Sequence, residues 1–304
     1  MIFATDPLHQ AARDVLKSFE LVVAPADDST LGRCEALIGW PSKLTLTLLG
    51  KMKVLLAIQT ISAGVDDIDF AVIPPTVKIF SNAGVHAQPV AEHAWGLLLG
   101  IAKGTNVRKE RVAPYRLQGR TLLVLGCGAI GSEVARIGKE AFGMKTFGLS
   151  RSFKRPEFFD SRLSMVNLAG VIGEADAIVD CLPLNLQTRS ILDLATLFRA
   201  KNRVIVVNVG RAETIDEISI AKILRDRPEM RFATDVFWRQ NGRENFESQL
   251  WDLPNFGGSS HTAGGFGSEE ALHHAELVAA ENIKQFLITG RAENEVRVED
   301  YVES

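Results

Sequence analysis

Cysteine is scarce in this chain: three in 304 residues, Cys34, Cys127 and Cys181, with no CxxC spacing. That excludes a disulfide scaffold and a four-cysteine zinc module, and no metal site is expected. It fits a chain kept in a reducing compartment, so a cytoplasmic protein is expected. An excess of charge of one sign is also missing. The formal net charge is −3, which gives nucleic acid and membrane surfaces no electrostatic reason to bind. Long apolar runs are absent as well; the longest, around AWGLLLGIA, is about half a membrane span. The opening MIFATDPLHQ has no basic region followed by an apolar stretch, so no signal peptide is expected. Neither an internal repeat nor a low-complexity segment occurs.

What is present is an alternation. Short apolar, β-branched runs take turns with helical patterns, and 46% hydrophobic content supports the cores of two ordinary domains. The expected strands are MIFAT (1–5), ELVVA (20–24), EALIGW (35–40), KVLLAIQ (53–59) and VKIFS (77–81). A second series follows: RTLLVLG (120–126), KTFGLS (145–150), DAIVDCL (176–182), RVIVVNV (203–209), RFATDVF (231–237) and NFGGSS (255–260). Strands without in–out alternation, separated by helices such as IGSEVARIGKEAFG and EISIAKILRDR, predict parallel sheets covered on both faces. The fold class is therefore α/β, with two doubly wound units joined around 85–119. PVAEHAWGLLLGIAKG (89–104) reads as a long helix too apolar for a surface, expected to pack between domains or against a second subunit. EEALHHAELVAAENIKQFLITG (269–290) reads as a helix stopped by Gly290, after which the chain can return to the first unit.

One motif points to a ligand. In TLLVLGCGAIGSEVARIGKEAF, Gly126, Gly128 and Gly131 form GxGxxG between an apolar strand and an amphipathic helix. The first glycine permits a tight turn, the second a close approach to pyrophosphate, and the third helix–strand contact. The N–H groups of the opening helix, from Ala129 and Ile130 onward, face the phosphates. At the end of the next strand, where NAD sites carry Asp or Glu, stand Ser150, Arg151 and Ser152. A carboxylate would repel a 2′-phosphate, whereas Arg and hydroxyls hold one, so NADP is favoured over NAD.

In a doubly wound sheet, ligands sit outside the carboxyl ends of the strands. Reading those ends gives Leu182–Pro183, then Val209–Gly210–Arg211, then Asp235, then His261. Reduction of a carbonyl by hydride needs a proton for the developing alkoxide, which a histidine supplies near neutral pH. It also needs donors for the carbonyl oxygen and a neighbouring carboxylate, which an arginine supplies.

These segments resemble the D-isomer-specific 2-hydroxyacid dehydrogenases over nearly the full length. The resemblance rests on SAGVDDID (62–69), VAEHAWGLLL (90–99), VLGCGAIG (124–131), CLPLNLQTRSIL (181–192), VNVGRAETID (207–216), ATDVF (233–237) and LPNFGGSSHTAG (253–264). It implies a flavodoxin-like substrate domain, residues 1–88 and 271–304, into which a Rossmann cofactor domain, residues 89–270, is inserted, and a homodimer. It implies that Arg211 binds substrate carboxylate and keto oxygen, and that His261 is the acid in reduction and the base in oxidation, at the mouth of the interdomain cleft. Ala63 and Gly64 would hold the carboxylate through backbone N–H groups. Asp235 would contact the nicotinamide carboxamide, while Leu182, Pro183, Thr188, Val209, Gly210 and Gly264 would line the cofactor.

Two positions depart from the family pattern. Most members pair the histidine with a Glu five residues after the Asp of the ATDVF-like motif, and here that position is Gln240, in DVFWRQNGRE. Gln orients an imidazole but carries no charge to support an imidazolium. Glu244 and Glu247 are the alternatives if the chain folds back, and the sequence does not choose. His86 stands where relatives often have Asn, as a substrate contact or an ordinary loop residue. The expected activity is NADP-dependent reduction of a small 2-ketoacid, glyoxylate or hydroxypyruvate. A formate dehydrogenase, suggested by Gln240, and a non-catalytic NAD(P) sensor are the alternatives.

Overall fold

The computed structural model describes residues 1–105 and 113–302. Residues 106–112, part of the expected join, and 303–304, the end of the expected substrate domain, lie outside the described residues. Two compact units emerge: Met1–His86 with Gly267–Ser304, and Ala87–Phe266.

The first unit holds β1 (Ile2–Ala4), β2 (Leu21–Val23), β3 (Ala36–Gly39), β4 (Ala57–Thr60) and β5 (Lys78–Phe80). All are parallel, in the order β2-β1-β3-β4-β5. Successive side chains point to opposite faces. Phe3, Leu37, Ile58 and Ile79 pack into one apolar layer, and Ile2, Ile38, Ala57 and Phe80 into the other. Both faces are covered, which explains why the strands read as unbroken apolar runs. The helix Glu269–Thr289 covers the second face with Ala275, Ala279, Ala280 and Ile283, and ends at Gly290 with φ 72°. Within KVLLAIQ only the end is strand. Leu55 is buried as a loop residue under the sheet and Leu56 is half-exposed, so a core-filling loop had extended the apolar run.

The second unit holds β6 (Thr121–Leu125), β7 (Lys145–Leu149), β8 (Ser161–Leu163), β9 (Ala177–Asp180), β10 (Ile205–Asn208), β11 (Arg231–Thr234), β12 (Arg239–Gln240), β13 (Arg243–Glu244) and β14 (Phe256–Gly258). Seven strands form a parallel sheet in the order β14-β11-β10-β9-β6-β7-β8. The winding reverses between β6 and β9, and crevices outside the carboxyl ends at such a point bind ligands. Leu123, Phe147, Ile178, Val206 and Phe232 line one face; Leu122, Val124, Val179, Val207 and Ala233 line the other. The helix Ala87–Lys103 buries its apolar side within this unit. Trp95 stacks on Phe142 at 4.6 Å and donates its ring N–H to Val134 O at 3.1 Å. Val90, Ala91, Ala94, Trp95, Leu98, Ile101 and Ala102 of this helix are buried in the packing against the sheet and the helix Ala129–Phe142. Edge strand β8 and the two-stranded hairpin β12–β13 had no sequence expectation. No described helix is long and apolar enough to cross a membrane.

Candidate functional site

The carboxyl ends of the parallel strands β6, β7, β9, β10, β11 and β14 lie along one edge of the second unit. Gly126 closes β6 with φ 82°, and a Cβ there would lie 2.9 Å from Cys181 O. A Cβ on Gly131 would lie 2.0 Å from Gly126 O, so helix and strand meet only through glycine. At Gly128 a Cβ would meet nothing within 4 Å. Gly128 is also the N-cap of the helix Ala129–Phe142, and no side chain caps that end. An open approach to uncapped N–H groups at a helix N-terminus fits the pyrophosphate of a dinucleotide.

Past β7, the Ser150 N–H donates to Leu163 O at 3.0 Å and the Ser152 N–H to Ser150 Oγ at 3.4 Å; Arg151 and Ser152 are exposed. Past β9, Thr188 donates its hydroxyl to Pro183 O at 2.6 Å and closes the turn from Leu182 to Thr188. The same strand ends in Asp180, a fully buried carboxyl unremarked in the sequence. Burial pushes its pKa up to about 6, against the hydrogen bonds from Thr214 Oγ1 (2.5 Å) and Leu182 N (2.9 Å). Nothing marked it in advance, because a buried Asp in an apolar strand has no periodic signature.

Past β10, the Gly210 N–H donates to Asn208 Oδ1 at 2.9 Å, next to buried Val209. Half-buried Arg211 donates from Nη1 to Gly210 O at 2.9 Å, and its own carbonyl accepts from Asn208 Nδ2 at 2.9 Å. Past β11, the Asp235 carboxylate accepts from Ser259 Oγ (2.7 Å), Thr262 N (2.9 Å) and Ala263 N (3.0 Å). Its carbonyl accepts from the N–H of His261 at 2.7 Å. These bonds hold the segment after β14, which runs on to half-buried Gly264, and they hold His261 at φ 51°, a left-handed conformation that His tolerates better than most residues.

His261 Nδ1 meets Glu244 Oε2 at 2.5 Å. The other carboxylate oxygen of Glu244 accepts the Phe237 N–H at 3.0 Å. Partial burial works to raise the Glu244 pKa. The hydrogen bond and charge of His261, the Phe237 N–H and the charge of Arg211 outweigh it, so the carboxyl sits below its ordinary value. Gln240 is therefore not the partner of the imidazole, contrary to its sequence position. It lies exposed on β12, paired with Arg243 across the hairpin, while Arg239 pairs with Glu244. The two-residue turn is Asn241–Gly242, with φ of 53° and 77°. Asn-Gly is a strong short-range hairpin signal, and it could have placed Glu244 opposite Arg239. Glu247 is exposed, and its N–H donates to Asn245 Oδ1 at 3.0 Å.

The first unit carries Ala63 and Gly64, half-buried just past β4, and the Ser62 hydroxyl donates to Gly64 O at 2.8 Å. No described backbone group accepts from the Ala63 or Gly64 N–H. His86 follows β5; burial, then the charge of His274, pushes its pKa down. Among the described residues no three His, Cys, Asp or Glu side chains are grouped to hold a metal.

Several known proteins resemble this chain over most of its length. Residues 84–263 match the family described as D-isomer specific 2-hydroxyacid dehydrogenase, NAD binding domain. A Thermotoga maritima hydroxypyruvate reductase is 30% identical over 253 residues, covering 80% of this chain and 81% of the relative. A Methanocaldococcus jannaschii D-3-phosphoglycerate dehydrogenase is 28% identical over 98% of this chain, which spans only 59% of that relative's length. The structure of a candidate formate dehydrogenase from Pyrobaculum aerophilum is 32% identical, with a TM-score of 0.85 over 99% of each chain.

Proposed function

The chain belongs to the D-isomer-specific 2-hydroxyacid dehydrogenase family, and on that premise we propose that it is an NADP-preferring reductase of a small 2-ketoacid, glyoxylate or hydroxypyruvate. The observation that carries the reading is the His261–Glu244 pair. Reduction of a ketoacid creates an alkoxide that must be protonated, whereas oxidation of formate to carbon dioxide transfers a hydride and no proton. An acid/base histidine backed by a carboxylate serves the first reaction and is idle in the second. The Glu244 contact also removes the argument that Gln240 made for formate.

A bound nicotinamide dinucleotide would supply or accept the hydride. Its pyrophosphate would lie on the N–H groups of Ala129 and Ile130 across the open space at Gly128, and its 2′-phosphate on Ser150, Arg151 and Ser152. Asp235 would face the carboxamide. Arg211 would hold the keto oxygen and carboxylate with paired N–H groups, and the turn Ala63–Gly64 of the first unit would offer N–H groups to a carboxylate. His261 gives its proton from Nε2, the nitrogen opposite the one bound to Glu244. Glu244 holds the ring in that orientation and balances the imidazolium before the proton leaves. In the oxidative direction Nε2 takes the proton back.

The test is the initial rate of NADPH and NADH oxidation with glyoxylate, hydroxypyruvate and pyruvate, beside NADP and NAD reduction with formate. Ketoacid turnover favouring NADPH is expected, with Arg151→Ala narrowing the preference. Arg211→Ala is expected to abolish turnover and leave NADPH binding near normal. Formate turnover without ketoacid turnover would replace the reading.

A further inference from the structure

His93 lies on the helix Ala87–Lys103, outside every role assigned above. Its Nε2 is 2.6 Å from Ser259 Oγ and 3.4 Å from Asp235 Oδ1. We propose that His93 is a positioning residue for the acid/base histidine, acting through Ser259 and Asp235; the inference rests on the reading of His261 given above.

The bonds determine a direction. A serine hydroxyl has one proton, and Ser259 places it on Asp235 Oδ1 at 2.7 Å. The contact from His93 must then run the other way, from Nε2–H to Ser259 Oγ. This sets the order His93 to Ser259 to Asp235, with each group donating to the next. Only 2% of the Asp235 side chain is exposed, so its hydrogen bonds face little competition from water. The Asp235 carboxylate in turn holds the backbone N–H groups of Thr262 and Ala263, and its carbonyl holds that of His261. His261 sits at φ 51°, a conformation that persists only when its surroundings impose it. The helix bearing His93 is anchored by Trp95 within the same unit. The chain of donors thus ties the loop of His261 to a packed helix. Without the His93 proton, the Ser259 hydroxyl loses the donor that fixes its rotamer, and its bond to Asp235 loses that orientation.

The test compares wild type, His93→Leu, His93→Gln, Ser259→Ala and His93→Leu/Ser259→Ala. Initial ketoacid reduction rates, NADPH dissociation constants by fluorescence and thermal melting would be measured for each. Leu fills the space without a donor, whereas the Gln amide keeps one. We expect His93→Leu to lower kcat by roughly tenfold to a hundredfold, the scale of a misplaced catalytic group, with a smaller change in KM for the ketoacid. His93→Gln should recover most of the loss, and the double variant should be no worse than either single one. If His93→Leu does not fold, Ser259→Ala cuts the same link from the other side and carries the comparison with His93→Gln. Wild-type kcat and NADPH affinity in His93→Leu would overturn the proposal. So would equal impairment of Leu and Gln, or additive losses, since either would reduce His93 to packing. A wild type that turns over no ketoacid would instead remove the reading of His261, and this inference with it.

Discussion

The Asp180 carboxyl shows how a single residue leaves a mark on the whole molecule. It is buried at the end of β9, bonded to Thr214 and to the backbone at Leu182, and its pKa of about 6 lies above the ordinary 3.8. An acid whose pKa is raised on folding costs no stability where both states hold the proton. The cost appears as the unfolded chain ionises, and it grows until the pH has risen through the folded value. Between pH 4 and 7 wild type should therefore lose stability relative to Asp180→Asn, on the order of 1–3 kcal/mol. Urea denaturation of both proteins at the two pH values measures this, and parallel behaviour would refute it. At the same scale, the places of His261, Arg211 and Asp235 past the strand ends were legible because strand ends on a parallel sheet are addresses that can be counted off the sequence. Asp180 and His93 were not. Each takes its meaning from a neighbour remote in the chain, and no spacing rule links them.

The hairpin Arg239–Glu244 is the element on which the site turns. Position counting placed Gln240 beside His261, because counting assumes the chain runs on without reversing. Asn241 and Gly242 reverse it, and Glu244 arrives where the count had put Gln240. The turn should therefore be a functional determinant. A Cβ at Gly242 would meet nothing within 4 Å but would sit at φ 77°, so Gly242→Ala costs backbone strain, about 1–2 kcal/mol. Ketoacid turnover should fall while NADPH binding and the rest of the fold persist; unchanged kinetics would show that the turn does not place Glu244. The strands that read well were the unbroken apolar runs, since their two covered faces write hydrophobicity at every position. β8, with Ser161–Arg162–Leu163 at a partly exposed edge, carries no such run. In KVLLAIQ the apolar pattern was real, but part of it belonged to a loop that fills the core.

For the whole molecule, alternating strand and helix patterns specified two parallel α/β units, and the glycine fingerprint marked the switch point of the second. The charge beside His261 was hidden because it depends on a reversal of two residues within a single loop. The Glu244 carboxyl is held below its ordinary 4.5. A carboxylate with a lowered pKa supports the fold above its ordinary value and loses that support as pH falls through the depressed one. Above about pH 5 it is therefore ionised and in place to accept the Nδ1 hydrogen of His261 and fix the orientation of the ring. The most direct measurement is the pH dependence of kcat/KM for ketoacid reduction in wild type, Glu244→Gln and Gln240→Glu. Glu244→Gln is expected to lower the rate and move the alkaline limb to lower pH, and Gln240→Glu to leave the limb where it was. A limb that moves up in Gln240→Glu and stays put in Glu244→Gln would contradict this.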